Sequence, residues 1–333
     1  MYEMLGACLF LAAWLVLYAG ATLISVLCWR SLAPRASQWS HASRAQTLLL
    51  LRVAPFLVSI LCVLSLLVPA YLIHEPRDTS EAVTVYLGLL AGISICGIGW
   101  AAWKGVRRGL ATSRLVREWM KHARPLQLAD VPIPAYRLPH PFPILAIVGA
   151  IHPRLFVADR VFEALSDEEI AAAVTHEAGH FASRDTFKHG LLQVCRDLLA
   201  FIPFGRALDR AWVEAAEAAA DEYAARRGTA VALNLASALV KVARHIPPGV
   251  RPASLAGAFF MAEHRSRITT RVMQLTCRTG LPDRTRAAGV HALNRFTYAG
   301  LSLMFLGSLL AVFNSGLIAK VYAALETIVT VLQ

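Results

Sequence analysis

Apolar residues in this chain are gathered into long blocks rather than spread evenly, at about 5–27, 53–73, 82–103 and 296–319. At about 1.5 Å per helical residue, each block crosses a hydrocarbon layer roughly 30 Å thick. The first block reads as a membrane span and not as a cleaved leader. No basic segment precedes it, the apolar run is too long, and Cys28-Trp29-Arg30 is no small-residue cleavage site.

Between the third and fourth blocks the pattern changes to that of a folded, water-facing domain, about 104–293. Residues 104–121 are helical and basic in pattern and continue the third span. Pro125, Pro132, Pro134, Pro139, Pro141 and Pro143 follow, a density that breaks helices and reads as a connector. Two short apolar runs, 144–148 and 155–158, predict a small hairpin or pair of strands. Ser166-Asp167-Glu168-Glu169 is a capping box whose acids suit the positive end of a helix dipole. It predicts a helix to about residue 182. Further helices are predicted at about 186–201, 208–227 and 230–245, closed by Pro203 and Gly205, by Gly228, and by Pro247-Pro248-Gly249. Asn314-Ser315-Gly316 marks a bend, and the tail 321–333 is expected along the outer interface or against another helix.

Composition agrees with this division. The 333 residues include 17% charged residues, below the quarter usual in soluble domains. The net charge of +11 invites a nucleic-acid reading, which its placement excludes. Arg30, Arg35 and Arg44 follow the first span without an acid. Glu75, Asp78 and Glu81 dominate the second connection. Lys104, Arg107 and Arg108 follow the third span, and Arg284, Arg286 and Arg295 precede the fourth. Basic residues favour the cytoplasmic face, so both termini are expected outside and the large domain inside. The spans are nearly free of charge, with Arg52 at an edge, which argues against a transporter. The six cysteines include no Cys-x-x-Cys pair, so neither a disulfide framework nor a cysteine zinc site is indicated.

The chemistry lies in His176-Glu177-Ala178-Gly179-His180. Positions i and i+4 share a helix face, so both imidazoles reach one metal ion, while Glu177 holds the metal's water without ligating. Such a pattern arises by chance in roughly one chain in a hundred of this size, so its context must carry the weight. A catalytic zinc wants a third protein ligand. The helix at 208–227 offers Glu214, Glu217, Asp221 and Glu222 among short alanines. Glu217 is taken as the third ligand and Asp221, one turn on, as the acceptor that orients a ligating imidazole. Asp185 is a candidate anchor for the end of the zinc helix. His140, His152, His189, His245, His264 and Arg271 read as structural or surface residues.

These motifs, with Arg184-Asp185 and Glu217-Ala218-Ala219-Ala220-Asp221-Glu222, resemble those of the M56 peptidases, the BlaR1/MecR1 group. The related M48 peptidases share the His-Glu-x-x-His and Glu-x-x-x-Asp pair. The resemblance implies a mainly α membrane protein with four transmembrane helices. It also implies a cytoplasmic α+β zincin-like (gluzincin) domain with a small β-sheet. Residues 1–103 would hold three spans, 104–293 the metallopeptidase, and 294–333 the fourth span and a short extracytoplasmic tail. Zn2+ would sit on His176, His180 and Glu217, with Glu177 as the catalytic base. Two departures stand out. A cysteine often precedes the family's aspartate, where this chain has Ala220, and 321–333 leaves no room for a penicillin-binding domain. A β-lactam sensor is therefore not expected. The expected partners are the lipid bilayer and a protein substrate, which the resemblance suggests is a cytoplasmic transcriptional repressor. Membrane-protein quality control of the M48 kind, and a non-catalytic sensor or scaffold, are the competing functions.

Overall fold

The structure, a computed structural model, describes residues 2–77, 83–128, 132–245, 265–277, 302 and 314–332. Among these, three helical stretches are long and apolar enough to cross a membrane: Tyr2–Ala36, His41–His74 and Val85–His122. The first is α1 and the last α4. The middle stretch is α2 (His41–Cys62), a π turn (Val63–Leu67) and α3 (Val68–His74). Pro69 has no amide hydrogen to give to the carbonyl four residues back, and next to it the ladder slips by one residue, with Val68 N donating to Val63 O. All three helices overrun the apolar blocks at 5–27, 53–73 and 82–103. In α4 the basic segment after the span continues without a break to His122. Of the predicted span at 296–319, only 302 and 314–319 fall within the described residues.

The N-terminal helices also brace the domain that follows. Trp212 is fully buried in a core with Val26, Trp29, Leu48, Leu192 and Leu208. Tyr18 donates its hydroxyl to the Cys195 carbonyl at 2.9 Å. Arg52, at the edge of the second apolar block, is paired within the protein. It is 2% exposed and pairs with Asp209 at 3.0 Å. An uncompensated charge there would be costly, and the partner comes from a helix more than 150 residues away that sequence spacing does not reveal. Gly205 makes the approach feasible, since a Cβ at that position would lie 2.5 Å from the Arg52 guanidinium carbon.

The sheet has four strands in the order β1-β2-β4-β3: β1 (Arg124–Leu126), β2 (Ala135–Leu138), β3 (Leu145–Val148) and β4 (Arg154–Ala158). β3 and β4 form the antiparallel hairpin predicted from their apolar runs. β1 and β2 lie inside the proline-rich stretch read above as a connector. Proline is tolerated there because Pro125 stands on an edge strand and Pro134 and Pro139 fall just outside β2. β2 runs parallel to β4. β3 is the opposite edge. Ala158 N donates to Ile144 O at 2.7 Å, and the alternation from that pair turns the backbones of Leu145 and Ile147 away from β4.

Six helices follow the sheet in the described chain: α5 (Asp159–Ala164) and α6 (Asp167–Ala182), which pack on β4 and β3, then α7 (Asp185–Leu198), which packs on α2 and α4, α8 (Arg206–Ala225), α9 (Thr229–His245) and α10 (Arg265–Cys277). The capping box at the start of α6 is present. Ser166 N donates to Glu169 Oε2 at 2.9 Å, and Glu169 N donates to Ser166 Oγ. Glu169 also accepts from Ser237 Oγ at 2.6 Å and pairs with Lys241 at 2.7 Å, which ties the start of α6 to α9. The last described helix, α11 (Ser315–Leu332), begins at Asn314, whose side chain accepts from Leu317 N at 3.0 Å. It packs against α3, where Tyr322 donates to Glu75 at 2.9 Å.

Candidate metal centre

Two helices bring the chemistry together. α6 presents His176, Glu177 and His180, and α8 presents Glu217 and Asp221; all five are buried. The helices meet closely at Gly179, where a Cβ would stand 3.1 Å from Tyr223 Cβ. His176 Nε2 lies 3.7 Å from Glu217 Oε2, and His180 Nε2 lies 3.6 Å from Glu217 Oε1. The two imidazoles are nearly perpendicular, 4.8 Å apart. Glu214 is exposed, and Glu222 turns to Arg226 at 3.1 Å, so neither joins the cluster.

The far nitrogen of each ring faces a carboxylate. His176 Nδ1 is 2.9 Å from Asp221 Oδ1, and His180 Nδ1 is 2.9 Å from Asp185 Oδ2. Asp185 reaches His180 because the turn between α6 and α7 is sharp. Arg184 adopts φ 54° and ψ 38°, a left-handed conformation that costs a non-glycine residue about 1–2 kcal/mol. Such strain is characteristic of functional sites.

Arg271 on α10 enters the same buried cluster. Its Nε and Nη2 contact the two Asp221 oxygens at 2.7 and 2.6 Å, and Nη1 lies 3.0 Å from Glu217 Oε2. Sequence reasoning read Arg271 as structural or surface. A single arginine in an amphipathic helix carries no sign that its partners lie about fifty residues upstream.

These surroundings set the protonation states. Burial drives the Glu177 carboxyl up to about 7, with the Glu217 charge adding to it and His180 opposing it. Burial works against a charged His180, but the Asp185 hydrogen bond and the charges of Glu217 and Glu177 outweigh it and lift the ring to about 9. Burial holds His176 low, partly offset by Asp221. Asp221 is buried too, yet Arg271 and His176 keep its carboxyl well below the usual range.

The cluster fits a metal ion. Ligand atoms from His176, His180 and Glu217 all lie within 4.8 Å of one another. Atoms bound tetrahedrally at the usual zinc distances are roughly 3.3 Å apart, close to the 3.6 and 3.7 Å between the rings and Glu217. Carboxylates on both Nδ1 atoms turn both Nε2 atoms toward Glu217, the arrangement that raises the basicity of metal-binding imidazoles. Among the described residues this is the one such cluster.

Glu177 lies between the cluster and the sheet. Its Oε2 accepts from Ile147 N at 3.3 Å, so the free edge of β3 runs along the metal-binding face. The other histidines stand apart. His140 accepts from Phe142 N at 3.2 Å beside Trp119, and His189 packs on Trp212. His264 and the His245 side chain lie outside the described residues.

No curated protein matches the chain. Residues 142–275 match the family model described as BlaR1 peptidase M56. They run from β3 through α6 and α8 to Arg271 on α10, and so carry every group that meets at the cluster. In agreement with the motif resemblance, this segment is a peptidase domain of the M56 family.

Proposed function

We propose that the chain is a zinc metalloendopeptidase of the cytoplasmic membrane, with His176, His180 and Glu217 as metal ligands and Glu177 as general base. The observation that carries this reading is the convergence of two imidazoles and a carboxylate within 4.8 Å, beside a buried Glu177. Zinc, when bound there, supplies a Lewis acid for a water molecule and for the peptide carbonyl.

The protein's own groups do the rest. Ile147 N holds Glu177 Oε2, which leaves Oε1 to take the proton from the attacking water. Glu177 then passes that proton to the leaving amine. Asp221 and Asp185 orient the rings, and Arg271 fixes Asp221. A substrate segment adds as a strand along the free edge of β3, at Leu145 and Ile147.

The layout follows from the charge pattern: three spans within 1–103, a cytoplasmic domain at 104–293, a fourth span within 296–319 and an extracytoplasmic tail. The M56 domain favours regulatory proteolysis, with a cytoplasmic transcriptional repressor as substrate. Retention of the whole cluster argues against a scaffold that has lost activity.

The test compares the purified full chain with its Glu177→Gln variant, measuring metal content and casein cleavage. Equal metal content is expected, with cleavage reduced about a thousandfold or more. Undiminished proteolysis by the variant would reject the assignment.

A further inference from the structure

A large cleft, with a volume of about 1110 Å³, lies between α4, α7 and the β3–β4 turn. Its walls are α4 from Gly105 to Lys121, the β3–β4 turn from Gly149 to Arg154, and the first half of α7. No residue of the cluster lines it, but two of its walls continue from residues that touch the cluster. Gly149 is two residues beyond Ile147, which contacts Glu177, and Thr186 follows Asp185, which contacts His180.

Three features describe what the cleft takes. The first is charge. Arg108, Arg117, Lys121 and Arg154 line it, and no aspartate or glutamate does. Arg108 pairs with the buried Asp197, and Lys121 with exposed Glu118 at 2.7 Å. Arg117 and Arg154 have no acidic partner among the described residues. The second is apolar surface: Ile151 and Phe187 project into it, 83% and 58% exposed. The third is space. Gly105 and Gly109 on α4 and Gly190 on α7 line the cleft, and a Cβ at any of them would meet nothing within 4 Å. Glycine within a helix is disfavoured relative to alanine, and here no internal packing offsets that. Their effect is to keep the cleft wide.

The α4 wall is about 24 Å long at the helical rise, which matches roughly seven extended residues. The cleft exceeds the roughly 300–1,000 Å³ of small-molecule sites. From this we infer that the cleft receives the flank of the cleaved segment, and that this flank is extended, acidic and interspersed with apolar side chains. The inference rests on the peptidase reading above and specifies its substrate class. A peptide is favoured over a lipid because two walls of the cleft continue from β3 and the start of α7, whose Ile147 and Asp185 contact Glu177 and His180.

The experiment uses the full chain carrying Glu177→Gln, so that bound peptide is not consumed. Two fluorescein-labelled peptides are compared by anisotropy: one alternates leucine with glutamate, the other leucine with glutamine. The acidic peptide is expected to bind about tenfold or more tightly, with the margin shrinking as salt is raised. Adding Arg117→Glu and Arg154→Glu is expected to remove that margin and to favour a leucine–lysine peptide, with metal content unchanged. Equal affinity for the glutamate and glutamine peptides would overturn the inference. So would charge-dependent binding of phosphatidylglycerol vesicles without binding of the acidic peptide. Casein cleavage by the wild-type chain is measured in parallel. If it persists while the peptide preference is absent, the cleft assignment fails and the peptidase reading stands.

Discussion

Arg271 holds Asp221 in a two-pronged grip, Nε to Oδ2 at 2.7 Å and Nη2 to Oδ1 at 2.6 Å, while Asp221 in turn faces His176 Nδ1. One guanidinium thereby links α10 to an imidazole on α6 through α8. Removing one member of a buried pair leaves the other charge unpaired, which costs about 3–5 kcal/mol. Arg271→Ala is therefore expected to lower stability by about that amount in chemical denaturation. Arg271→Lys keeps the charge but not the planar fork, so it is expected to recover only part of the loss. If Arg271→Ala unfolded at the wild-type denaturant concentration, the pair would be incidental.

Asp185 supports the second ring. Asp185→Asn keeps the size of the side chain and removes its charge from His180 Nδ1, 2.9 Å away. Loss of a carboxylate behind a ligating histidine typically weakens metal binding by about 10–100-fold. Competition with a chromophoric chelator measures this. Unchanged affinity would show that the Arg184 turn places Asp185 for some other purpose.

Gly179 sets the distance between the two ligand-bearing helices. A valine there must displace Tyr223, since even the Cβ would lie 3.1 Å from Tyr223 Cβ. Overpacking costs about 1–3 kcal/mol, more than the fraction of a kcal/mol that valine gains over glycine in helix propensity. Gly179→Val is expected to be less stable and, because α8 carries Glu217, to bind metal more weakly. Thermal melts with and without added zinc read both effects. A variant that lost stability but kept wild-type zinc affinity would show that Glu217 tolerates the shift.

His189 supplies a pH dependence independent of the metal ligands. Burial, with Arg196 and Arg108 nearby, holds its ring at about 4, against 6.5 for a free histidine. The unfolded chain then binds the proton first as the pH falls, so folding loses stability between about 6.5 and 4 and keeps it above that window. The full shift corresponds to about 3 kcal/mol. The metal-free wild-type protein is expected to lose more melting temperature between pH 7 and 5 than His189→Gln. Parallel curves would contradict this placement of His189.

Local signals made much of the fold legible. The capping box at Ser166 located the start of α6, and two short continuous apolar runs located β3 and β4. Both are short-range effects, written in neighbouring residues. The proline-rich stretch misled, because proline's exclusion from strands depends on whether its nitrogen faces a neighbour. That depends on which strand is the edge, a property of the whole sheet. The partner of Arg52 was hidden for a similar reason, since Asp209 becomes adjacent only when α2 packs on α8.

The sequence alone determined that His176 and His180 share a helix face with Glu177 beside them, because helical periodicity is a local geometric rule. It also determined that long apolar blocks are separated by connections that are alternately basic and acidic, because transfer into lipid depends on composition. The motif spacing and the M56 resemblance already singled out Glu217 and Asp221; only the tertiary structure decided that Asp185 takes the far nitrogen of His180 and that Arg271 joins the cluster. Those contacts depend on the rotation and separation of packed helices. Both are set by side chains such as Gly179 and Tyr223, whose closeness in space leaves no periodic trace in the chain.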